Sequence, residues 1–223
     1  MREHVLLIGG GGREHAIARA LADSECELYA CAGNRNPGIA GLAADFESVT
    51  ETDPEAVVAY AEEVGATIAV VGPEAPLAAG VADAVGLSER EPFGTIGPVT
   101  IGTMGETHEP LPTDAIRERL DGFDGAEAGG GTRVLAFGPD RIERVAVVTG
   151  SGTDWLDEAV EAGADALITG EGKQQVYHDA REAGVTVYLA GHYATETFGV
   201  RSLRSLANDW DVETTYVSHP TGL

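Results

Sequence analysis

Lysine is nearly missing from this chain of 223 residues: of its 14 basic side chains only Lys173 is a lysine, against 37 Asp and Glu, for a formal net charge of −23. No basic run exists to neutralise phosphates, which argues against sequence-independent nucleic-acid binding. Long apolar runs are missing too. The longest have strand length, short of the roughly 20 residues a membrane-spanning helix needs. The start carries Arg2 and then enters a strand, without an apolar leader and cleavage site. Cysteine is scarce, and Cys26 and Cys31 read as packed thiols rather than a disulfide or metal pair. No two histidines are adjacent. These absences point to a cytoplasmic protein acting on a small molecule, with neither nucleic acid nor membrane as partner. An acidic surface with arginine in place of lysine suits a high-salt cytoplasm, where screening removes self-repulsion. A GC-rich genome favours the same arginine bias.

What is present is ordinary core material: 43% of residues are hydrophobic, enough for one or two domains. The first third alternates strand and helix. His4–Ile8 is an apolar strand, Arg13–Asp23 has helical spacing, and Glu27–Cys31 is a second strand. Thr52 or Asp53 caps a helix with Pro54 at its first position. Thr67–Val71 is a buried strand closed by Gly72-Pro73-Glu74. That order predicts a parallel, Rossmann-like sheet. Ala82–Pro92, with its charged segment Ser88-Glu89-Arg90-Glu91, reads as the junction.

Beyond the junction, Gly94–Glu106 is β-rich, Thr113–Leu120 is a helix, and the glycine-rich stretch Asp121–Thr132 is an excursion. A second strand–helix run follows: strands at Arg133–Phe137, Glu143–Val148, Ala166–Thr169, Val185–Leu189 and Val212–Val217, and helices at Trp155–Ala162, Gln174–Ala183 and Phe198–Asn208. The fold class is therefore α/β, a Rossmann-like parallel unit over 1–84 joined to a second α/β unit over 85–223.

A glycine run between strand and helix lets the backbone approach an anion, and the helix start offers free N–H groups. Here the run is Gly9-Gly10-Gly11-Gly12-Arg13-Glu14-His15-Ala16, followed by Gly33-Asn34-Arg35-Asn36-Pro37-Gly38 and by Val71-Gly72-Pro73-Glu74-Ala75-Pro76-Leu77-Ala78-Ala79-Gly80. The ordered series resembles the N-terminal domain of phosphoribosylamine–glycine ligase, over about residues 1–84. The resemblance implies that Gly10, Gly11, Gly12, Asn36, Gly38, Pro73 and Glu74 line a substrate pocket. ATP and magnesium enter only with the ligase's ATP-grasp module, and nothing after Gly86 looks like that module.

Near the other end, His192 and Glu196 share one helix face if Gly191 begins a helix, so both can reach one ion. Such a pair suits zinc, manganese or iron; an exposed His–Glu pair without a metal is the alternative. The pair closes a series formed by Val145 to Asp154, Ile168-Thr169-Gly170-Glu171-Gly172-Lys173, and Gly191-His192-Tyr193-Ala194-Thr195-Glu196, with Pro220-Thr221-Gly222-Leu223 after it. This resembles the C-terminal half of the Nif-three-like family, dinuclear-metal proteins often labelled GTP cyclohydrolase type two homologues, over about residues 84–223. The resemblance implies His192 and Glu196 as metal ligands, Ser151, Asp154 and Glu171 bordering the metal cleft, and a ring-forming homo-oligomer. That family's adjacent histidine pair has no counterpart, and Gln174-Gln175 stand where many members carry two histidines. Two residues fall short of the three or so ligands each metal needs. The expectation is a join of two partial units near Val81–Leu87. It holds at most one weakly bound ion, completed by water or another subunit, as a metal-dependent hydrolase. A ligase fragment and a non-catalytic assembly module are the alternatives.

Overall fold

The computed structural model describes residues 2–73, 75–97, 99–122, 131–209 and 215, which group into two compact units, Met1–Pro73 and Glu74–Leu223. The first unit runs β1 (His4–Ile8), α1 (Gly12–Ala22), β2 (Glu27–Ala32), α2 (Pro37–Ala40), β3 (Asp45–Ser48), α3 (Pro54–Glu63) and β4 (Ile68–Val71). The strands form one parallel sheet in the order β3-β2-β1-β4.

Central β1 is apolar from Val5 to Ile8 because both its faces are covered. Leu7 joins Ala18 of α1 and Ile39 of α2 on one side. Leu6 and Ile8 join Val57 and Tyr60 of α3 on the other. Local chemistry sets the helix starts. The Asn36 side chain accepts from Gly38 N at 2.9 Å and Asp53 from Ala56 N at 3.1 Å, each followed by a proline at the first helical position.

The second unit runs α4 (Ala75–Val85), β5 (Leu87–Ile96), β6 (Val99–Pro112), α5 (Thr113–Asp121), β7 (Arg133–Leu135), β8 (Arg141–Val148), a 3₁₀ turn at Gly152–Trp155, α6 (Leu156–Glu161), β9 (Ala166–Thr169), α7 (Val176–Ala183), β10 (Thr186–Leu189) and α8 (His192–Asp209). Its sheet has the order β5-β6-β8-β9-β10-β7. The β8-β9-β10 core is parallel, while β5, β6 and β7 are antiparallel to their neighbours. Alternating residues again separate two cores. Val145, Val147 and Ile168 share one with α4, α5 and Phe198 of α8, and Ala146, Val148 and Leu167 share the other with α6 and α7.

The structure revises several sequence expectations. The compact units divide at Pro73/Glu74, not at the expected 84/85, because α4 buries Ala78, Val81, Ala82 and Val85 in the core of the second unit. The charged segment Ser88–Glu91 is part of β5 rather than a junction. An edge strand needs only one buried face and tolerates charge. Strand β3 escaped prediction because Phe46 is its one buried side chain. The last helix begins at His192, not Phe198. The expected strand Val212–Val217, apart from Thr215, and the central part of the Asp121–Thr132 excursion lie outside the described residues. No helix among the described residues is long and apolar enough to cross a membrane.

Candidate functional site

In open parallel sheets, ligands bind beyond the carboxyl ends of the strands, where successive loops converge. In the second unit β8, β9 and β10 deliver the loops Gly150–Asp154, Gly170–Lys173 and Gly191–His192 to that edge. Backbone bonds lace these loops together. Gly170 N and Glu171 N both donate to Gly150 O at 2.9 Å, and Gly191 N donates to Gly170 O at 2.8 Å. Two buried threonines complete the weave. Thr169 Oγ1 donates to Gly150 O at 3.0 Å and accepts from Gly152 N at 2.8 Å. Thr195 Oγ1 accepts from Gly150 N at 3.4 Å.

His192 stands on this framework as the first residue of α8. Its Nδ1 lies 3.1 Å from Glu171 Oε1, and its Nε2 lies 3.3 Å from Glu196 Oε1, one helical turn on. The Ser151 hydroxyl donates to the same Glu171 Oε1. That hydrogen bond, and then His192, hold the Glu171 carboxyl below the usual carboxylate range. Gly150 has φ +64°, and a Cβ there would stand 3.2 Å from His192 Nε2 and 3.3 Å from its Cε1, so its glycine identity lets the ring pack against this loop. A Cβ on Gly170 would lie 2.7 Å from His192 Cα, a distance only glycine permits.

Asp154 points its carboxylate to Lys173 Nζ, with contacts of 2.5 and 2.7 Å. The two residues border a groove of about 320 Å³ that Asp157 and Asp179 also line. Ser151, Glu171 and His192 thus form one hydrogen-bonded chain with Glu196 ion-paired at its end, and Asp154 lines the separate groove. His178 is exposed on α7.

The donor set fits a divalent ion in part. An imidazole nitrogen and a carboxylate one turn apart are borderline ligands for zinc, manganese or iron. Glu171 sits on the opposite nitrogen, Nδ1. Among the described residues no group of three or more His, Cys, Asp or Glu converges as ligands.

The first unit gathers its own predicted residues at the carboxyl ends of β1, β2 and β4. Asn36 Nδ2 donates to Gly10 O at 3.0 Å, and Asn34 Nδ2 to the same oxygen at 3.3 Å. A Cβ on Gly38 would collide with the His15 ring, one on Gly9 would meet Pro73, and Gly12 faces open space. Glu74 lies outside the described residues.

Sequence reasoning missed Glu14. It is buried, its Oε2 accepts from Gly11 N at 2.7 Å, and a Cβ on Gly72 would collide with its Oε1. Glutamate three residues after a helix N-cap was the available signal. Thr169 and Thr195 were also missed, because nothing in a lone buried threonine announces which loops it joins.

Comparison with known proteins matches this two-part architecture. The profile of the Duf34/NIF3 (NGG1p interacting factor 3) family matches residues 73–221, and that of the phosphoribosylglycinamide synthetase N domain matches residues 3–104. A GTP cyclohydrolase 1 type 2 homolog of Halobacterium salinarum is 44% identical over 214 residues, covering 95% of this chain and 70% of its own length. One from Archaeoglobus fulgidus is 35% identical over 140 residues, covering 62% of this chain and 54% of its own. The phosphoribosylamine–glycine ligase of Methanococcoides burtonii is 53% identical over 97 residues, which span 43% of this chain and 22% of the ligase. Among solved structures, protein ybgI matches with a TM-score of 0.55 at 24% identity, over all of this chain and 86% of its own. TTHA1606 from Thermus thermophilus matches with 0.54 at 25%, over the same shares. Similar to the ligase domain in its first part and matched by the NIF3 profile over more than half its length, the chain belongs to the Duf34/NIF3 family.

Proposed function

We propose that the second unit binds a single divalent ion, zinc, manganese or iron, through His192 Nε2 and Glu196, and serves as a metal-dependent hydrolase of a small molecule. The observation that carries this reading is the pairing of those side chains at 3.3 Å, one turn apart on α8. Water or another copy in a homo-oligomer completes the coordination. When bound, such an ion supplies Lewis acidity and lowers the pKa of an attached water. The protein's own groups do the rest. Gly150 and Gly170 let His192 sit tight against the loops, Glu171 and Ser151 hold its ring, and the acidic groove with Lys173 and Asp154 lies alongside for substrate. The H. salinarum relative bears the name of a cyclohydrolase homolog, which agrees with hydrolytic chemistry.

For the first unit, the glycine loop held by Asn34, Asn36 and Glu14 supports a small-molecule pocket, and ATP with magnesium belongs only to a complete ligase. The metal reading is tested by stripping the protein with chelator, reloading it and measuring bound metal. One ion per chain is expected, lost in His192→Ala. Absence of binding, or binding unchanged in that variant, leaves the non-catalytic assembly module as the better description.

A further inference from the structure

Each of the two sheets ends in two edge strands, and an edge with free backbone groups is a template for another chain unless charge or cover blunts it. Charge blunts three of the four. β3 presents exposed Asp45 and Glu47, β5 presents exposed Glu89, Arg90 and Glu91, and β7 begins at exposed Arg133. The fourth edge, β4, has no charged residue, and neither has the wider run 64–73. Its start is also uncovered, although strands of parallel sheets are ordinarily buried on both faces. Val70 and Val71, on opposite faces, pack against the two cores of the first unit. Ile68 and Ala69, also on opposite faces, are exposed, Ile68 to 48%. The helix that follows β4 does not supply the cover, because α4 buries its apolar residues in the core of the second unit.

We propose that β4 pairs with β4 of a second copy of this chain, antiparallel across a two-fold axis, joining two four-stranded sheets into one. Two arguments select a second copy as the occupant. A two-fold pairing closes on itself and leaves the charged β3 edges outermost, whereas β3-to-β4 pairing would propagate as an open filament. Copies that each carry a formal charge of −23 can meet closely only where the contact itself is free of charge. β4 is that place, and Ile68 is the large apolar side chain that the pairing covers. The strand has four residues and spans about 13 Å, so the seam buries less than the roughly 800 Å² per partner of a standard interface. The dimer is therefore weak, and salt strengthens it by screening the repulsion between copies. It uses no residue of the metal reading and stands apart from it.

The test is sedimentation velocity of the full chain over a range of protein concentrations, in about 1 M potassium chloride, where the Debye length is about 3 Å. Hydrogen exchange of the same samples reports on β4 directly and needs no variant. Wild type is expected to associate as concentration rises, with the amides of residues 68–71 gaining protection in step. The double variant Ile68→Asp with Ala69→Asp puts one carboxylate on each exposed face of the strand, where pairing would have to desolvate it. Its dissociation constant is expected to rise at least about tenfold, with an unchanged circular dichroism spectrum because both positions are exposed. A chain that stays monomeric throughout overturns the inference. So does an assembly that leaves residues 68–71 exchanging equally fast in dilute and concentrated samples, or one that the double variant does not weaken.

Discussion

Truncating Val81 to alanine tests where the two units divide. Val81 is fully buried on α4, in the cluster that holds Ile116, Leu120, Ile142, Val145 and Phe198. Removing its two methyl groups forfeits about 1.6 kcal/mol of transfer free energy. The cavity left in a close-packed core raises the total to about 2 kcal/mol. Because α4 packs in the second unit, the loss falls there. Hydrogen–deuterium exchange of the full chain, read by mass spectrometry, reports each unit separately. A loss of about 2 kcal/mol speeds exchange through global opening about 30-fold. Peptides covering β8 and β9 are expected to show this acceleration, while those covering β1 and β2 keep their wild-type rates. The reverse pattern, faster exchange in β1 and β2 with β8 and β9 untouched, would refute the assignment of α4 and restore a boundary near residue 84.

Other outcomes follow from single residues. Gly150→Ala places a side chain at φ +64°, at a cost of about 1–2 kcal/mol, and crowds His192 Nε2. It is expected both to lower the melting temperature and to weaken zinc binding; a shift in neither contradicts the described loop. Burial pushes the Cys31 thiol up to about 12, and the nearby Glu51 and Glu47 add to the shift. At pH 8 Cys31 is a protected thiol, the thiolate being the reactive form. Native alkylation should therefore label Cys26 well before Cys31, and denaturation should equalise them; equal native labelling would show that β2 is more open than described. A formal charge of −23 opposes compaction at low ionic strength. The melting temperature should climb steadily with potassium chloride, and a flat profile would remove the high-salt interpretation.

Much of the fold was legible where hydrophobic pattern and turn chemistry agree. β1 announced itself by an apolar run ending at a glycine series, and α3 by Asp53 and Pro54. β3 was not legible, since Phe46 alone carries its burial. The start of α8 was hidden for a different reason. Thr195 and Thr197 are buried in its first turns, their hydroxyls donating to Gly191 O at 3.0 Å and Ala194 O at 2.8 Å, so a polar-looking stretch is an inner helix face. β5 misled by its charge, which an edge strand accommodates. At the candidate site, His192 and Glu196 were legible from i, i+4 spacing, and Glu171 from its motif. The division of the two ring nitrogens between two carboxylates depends on how the β9 and β10 loops cross, which no local pattern encodes. Glu14 was overlooked because a carboxylate beside a glycine run reads as solvent-facing until the loop folds around it.

The most direct measurement is calorimetric titration of zinc into the chelator-stripped full chain, wild type beside His192→Ala. One ion per chain in wild type, with binding lost in the variant, is the predicted result; no binding in wild type, or equal binding in both, contradicts it.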